Sequence, residues 1–104
     1  MESLDFTKLI TEIQVQARNT KYADIVNENI ALLTTAYSAF LSACEFKDST
    51  EIVKLYALVF KYLSNIRTII ERIGAKDLVK DIDFWIEYLS TEAVGCIKKK
   101  VKKW

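Results

Sequence analysis

An all-α fold, an antiparallel up-down-up-down four-helix bundle, follows from three observations. The 104-residue chain has no proline and only two glycines, Gly74 and Gly95, so the punctuation that ends strands is nearly absent. Hydrophobic residues make up 51% of it and recur three and four positions apart, in runs too long for strands. Short polar breaks at positions 19–21, 47–49 and 74–76 divide these runs into four, and connections so short favour antiparallel neighbours. Residues 1–97 suit a single domain, able to bury roughly 65% of its unfolded surface without a metal or disulfide staple, and residues 98–104 form a basic C-terminal tail.

The first helix is expected to begin at Ser3, whose hydroxyl suits an N-cap, and to present Phe6, Leu9, Ile10, Ile13 and Ala17 on one side before Asn19 and Thr20. The second carries Tyr22, Ile25, Val26, Ile30, Leu33, Tyr37, Phe40, Leu41 and Cys44 and ends at Lys47, Asp48 and Ser49. Asn29 falls on that apolar side, where an amide must find a partner or cost stability. The expectation is that the start of this helix is open enough to water to satisfy it.

Asp48 or Ser49 should cap the third helix, whose face holds Ile52, Leu55, Tyr56, Val59, Leu63, Ile66, Ile70 and Ile73 before Gly74 stops it. Val53, Leu58 and Phe60 lie outside this stripe, so the helix is apolar over most of its circumference. Enclosure by the rest of the bundle is the expected reason, and cover by a second copy of the chain, as a homodimer, is the alternative.

The fourth helix opens near Lys76 and runs Leu78, Ile82, Trp85, Ile86, Leu89, Ala93 and Ile97 into the tail without a stop signal. Residues 76–103 would span about 42 Å against about 25 Å for residues 3–19, so one end of the bundle should be thinner. Counting along helices 2 and 4, which run parallel, sets Cys44 and Cys96 at similar height beyond the end of helix 1. There a disulfide is within reach, although two reduced, buried thiols are the expected state.

Charge is segregated. Residues 1–97 hold ten Lys or Arg against fourteen Asp or Glu, while Lys98, Lys99, Lys100, Lys102 and Lys103 stand in the last seven residues with no acid among them. Clustered ammonium groups attract phosphate on lipid or nucleic acid. Ile97, Val101 and Trp104 share a helical edge bordered by these lysines, the pattern of an interfacial membrane anchor with Trp at the headgroup level. Nonspecific phosphate contacts, with Trp104 stacked on a base, make a nucleic-acid-binding regulator of viral or plasmid type the alternative. Against it, the tail has no Arg for bidentate base contacts and the acidic body would repel a duplex.

Enzyme chemistry is not expected, because the chain has no His to act as a general base and no phosphate-binding or nucleophile motif. No metal or other cofactor is expected either. Asp77 and Asp81 could share a cation, but no third carboxylate or Glu-x-x-His stands at matching spacing, so a solvated acidic face is the plainer reading. Phe84 and Tyr88 point away from the Leu78, Ile82, Trp85 and Leu89 stripe. Flanked by Asp77 and Asp81, they have the anatomy of a protein-binding patch.

The acidic start, without a basic and apolar leader, and the lack of a long uncharged run lead to an expected cytoplasmic location, peripheral to a membrane where the tail engages one. In size and helical pattern the chain is similar to small bacteriocin immunity proteins, a likeness of architecture that implies a compact protein-binding bundle.

Overall fold

The computed structural model describes residues 5–101, and every regular element among them is helical: α1 Phe6–Ala17, α2 Ala23–Phe46, α3 Ser49–Ile73 and α4 Lys76–Val101. Together they make a four-helix bundle measuring 52 × 29 × 18 Å.

Side-chain caps and special backbone set the boundaries. The Asp5 carboxylate accepts the Lys8 amide at 3.3 Å, so α1 starts at Phe6 under Asp5; Ser3, the expected cap, lies outside the described residues. Asp48 caps α3 in the same way, accepting the Glu51 amide at 3.1 Å. Gly74 ends α3 at φ +95°, left-handed backbone that lets its amide donate to the carbonyls of Ile70 and Glu71. Between α1 and α2, Asn19 takes φ +66°, which Asn tolerates better than most residues. The Thr20 hydroxyl then donates to the Ala17 carbonyl at 2.7 Å and accepts the Tyr22 amide, tightening the corner.

The core lies where the four apolar stripes meet, with Ile13, Leu33, Ile52, Leu63, Ile70 and Ile82 wholly shielded from water. Phe6 opens α1 by stacking on Tyr37 of α2, ring centroids 4.0 Å apart, and by meeting Trp85 of α4 edge-on at 5.0 Å. Past that level α2 and α4 continue without α1, and this end is closed differently. The Cys44 and Cys96 thiols meet there, and the Lys100 ammonium donates to the Glu45 carbonyl at 3.2 Å.

Three expectations are corrected. On α2, Ile25 and Leu41 are exposed, each about 80° around the helix from the line of Val26, Leu33 and Phe40, and Ala36 and Ala43 are buried in their place. Asn29 is buried, at 9% exposure, rather than opened to water. Its amide donates to the Ile25 carbonyl at 2.9 Å and its oxygen accepts from Asn65 of α3 at 3.3 Å, so a protein partner replaces the solvent. Enclosure does not account for Val53, Leu58 and Phe60, which keep 53%, 40% and 46% of their surface in water. The 12-residue α1 wedges its Phe6 between α2 and α4 and leaves the outer arc of α3 uncovered. No described helix is long and apolar enough to cross a membrane.

Candidate interaction face on α4

At 100° per residue, Asp77, Asp81, Phe84, Tyr88, Gly95 and Lys99 fall within an arc of about 60° on α4, with Lys80 and Lys98 about 40° beyond one edge and Glu92 about 20° beyond the other. The inner arc carries Leu78, Ile82, Trp85 and Leu89, all buried. Phe84 is 52% exposed whereas its chain neighbour Trp85 is 7% exposed.

A relay of rings connects the two arcs. Trp85 meets Phe6 edge-on, Tyr88 meets Trp85 edge-on at 5.6 Å, and Phe84 stacks on Tyr88 at 6.2 Å with the planes 10° apart. Edge-on and offset-stacked pairs are favoured by the ring quadrupole, so Tyr88 is held against the core and Phe84 is held against Tyr88. The outermost ring therefore has little freedom to lose on binding.

Asp77 and Asp81 share the arc but not the aromatic surface. With Leu78 they line a cleft of about 260 Å³ against Thr11, Glu12, Val15 and Gln16 of α1. Phe84 and Tyr88 line a separate shallow hollow with Glu87 and Thr91. The sequence placed these four residues on one face; the structure distributes them over two neighbouring depressions along it. Asp77 also stands in the first turn of α4, where the helix dipole favours negative charge.

At the other end of the face, Lys98 and Lys99 are exposed, while Lys100 is half-buried and bound to the last turn of α2 through the Glu45 carbonyl. Lys102, Lys103 and Trp104 lie outside the described residues. Burial first, and then the neighbouring Cys96 thiol, push the Cys44 thiol up to about 12, which keeps it protonated; Lys100 pulls weakly the other way. Burial, followed by the nearby Tyr88 and Glu92, also raises the Tyr37 phenol.

Two features escaped the sequence. Asp83 receives a two-pronged contact from Arg67 of α3. Arg67 Nε donates to Asp83 Oδ1 and Nη2 to Oδ2 at 3.0 Å, with Glu71 3.7 Å from Nη1. The hydrogen bond from Arg67 holds the Asp83 carboxyl below its ordinary range. The second is Gly95, which neither ends the helix nor admits a close neighbour, since a Cβ built there meets nothing within 4 Å. No sequence signal separates such a glycine from a neutral one.

No protein-family model, curated protein or solved structure matches this chain. Among the described residues, no group of three or more His, Cys, Asp or Glu is placed to hold a metal ion.

Proposed function

We propose that this chain is a non-enzymatic interaction module. The outer face of α4 docks a protein through Phe84 and Tyr88, with Asp77 and Asp81 framing one side. The lysine-rich end, Lys98 and Lys99 together with Lys102, Lys103 and Trp104, contacts an anionic surface such as a membrane. The observation that carries the reading is the stacked pair itself: an aromatic ring half in water yet braced from the core is the anatomy of a binding anchor rather than of a packing residue.

Capture from a lysate of the native host tests the docking arm. Wild-type bait should retain a protein that Phe84→Ala with Tyr88→Ala does not; identical retention by both baits would remove the role of this face. Sedimentation with vesicles tests the other arm. The full chain should pellet with anionic vesicles and a version ending at Ile97 should not, each lysine contributing about 1 kcal/mol near such a surface. Equal pelleting of the two would reject the membrane contact. A gel shift that flattens with salt only when the tail is present would favour nucleic acid instead.

A further inference from the structure

We infer that the protein docking on the α4 face is a second copy of this chain, laid antiparallel across a twofold axis next to Tyr88. The inference rests on the docking role just proposed for Phe84 and Tyr88.

The first support is charge. Along the face the order is acidic, aromatic, basic in balance: Asp77 and Asp81 with Lys80 beside them, then Phe84 and Tyr88, then Gly95, Lys98 and Lys99 with Glu92 beside them. A face ordered in this way complements itself when reversed. The midpoint between the acidic and basic pairs falls between Tyr88 and Leu89, so turning a second α4 end for end about that level brings its Lys98 and Lys99 level with the turn from Asp77 to Asp81, twice over by symmetry. Lys80, Glu87 and Glu92 at the rim are exposed, and their long side chains can remain in water.

The second support is shape. The same reversal sets Phe84 of one copy between Thr91 and Gly95 of the other. Gly95 weakens a helix interior, and nothing in its own chain needs the missing Cβ, because that space is open. An aromatic ring arriving from outside does need it: the notch at Gly95 admits the ring, and Tyr88 meets its own symmetry mate at the centre. Charge order and notch are independent features of the face, and both call for the same partner in the same register.

A contact made by one helix from each copy buries less than about 1,200 Å², the size class of weak, reversible pairs. Analytical ultracentrifugation of the purified chain should therefore show monomer passing to dimer as concentration rises from about 1 µM to about 1 mM. Asp77→Lys with Asp81→Lys, and separately Lys98→Glu with Lys99→Glu, should each weaken the dimer at least tenfold, and mixing these two variants one to one should restore it. Gly95→Leu should weaken the dimer while leaving Tm equal or higher, which separates a blocked notch from a failure to fold.

Wild type that stays monomeric throughout, with host-lysate capture still lost on Phe84→Ala with Tyr88→Ala, would overturn this inference and leave the docking face standing. Monomer together with unselective capture would overturn both. A dimer indifferent to all of these substitutions would place the interface elsewhere, such as the exposed Val53, Leu58 and Phe60 of α3, and would also overturn the inference.

Discussion

The inner and outer arcs of α4 carry aromatic rings one residue apart, yet Trp85 is held between Phe6 and Tyr88 while Phe84 keeps half its surface in water. The two side chains are similar in kind, so what each contributes is decided by where the helix circumference points it. A ring on the inner arc contributes burial and contacts on all sides. A ring on the outer arc, backed by Tyr88 alone, contributes almost nothing to folding and is available to a partner.

The largest effect expected from this contrast is on stability. Trp85→Ala should cost about 3 to 5 kcal/mol in urea unfolding, because it opens a cavity under Phe6 and Tyr88. Phe84→Ala should stay within about 0.5 kcal/mol of wild type. Comparable losses for the two would break the contrast, since Phe84 would then be part of the packing.

A second measurement asks how far the inner arc stays closed once α1 has ended. Cys96 extends that arc, and its neighbour Cys44 has a thiol pushed up to about 12 by burial and by the nearby Cys96. A raised value means less thiolate at pH 8, so iodoacetamide should label Cys44 at least about tenfold more slowly than a free cysteine, followed by mass spectrometry under non-reducing conditions. Labelling at the free rate would show that α2 and α4 separate beyond Phe6.

The smallest effect belongs to the rim, where Arg67 meets Asp83. Because the Asp83 carboxyl is lowered in the folded chain, its contribution is present above the ordinary carboxylate range and is lost as pH falls through the lowered value. Arg67→Ala should therefore be slightly less stable than wild type at pH 7 in low salt. The difference should vanish at pH 2 and again in about 1 M salt. A deficit that survives both conditions would assign the cost to packing of the Arg67 stem rather than to charge.

Much of the frame was legible because it is periodic or chemically unambiguous. The stripe of α3 from Ile52 to Ile70, the Asp48 cap and the Gly74 stop need only local rules, and all are present. What stayed hidden depends on pairs distant in sequence. Asn29 finds Asn65 on another helix, Asp83 finds Arg67, and Lys100 finds a backbone carbonyl of α2; no spacing within one helix announces these. Hydropathy also misleads along α2, ranking Ile25 and Leu41 above Ala36 and Ala43 although the alanines sit inside. On the candidate face, Phe84 and Tyr88 were legible as off-stripe aromatics. The notch at Gly95 was not, since only a built backbone reveals that the space beside a glycine is empty.

The brevity of α1 gives the bundle an order of coming apart. Its 12 residues, joined to α2 through the left-handed corner at Asn19, bury only Phe6, Leu9, Ile13 and Ala17, fewer than any other helix, so it is the one placed to peel away as a unit while α2, α3 and α4 remain together. Amide hydrogens of α1 should then exchange with deuterated solvent through this partial opening, well ahead of those in the middle of α3, whose release requires the whole chain to unfold.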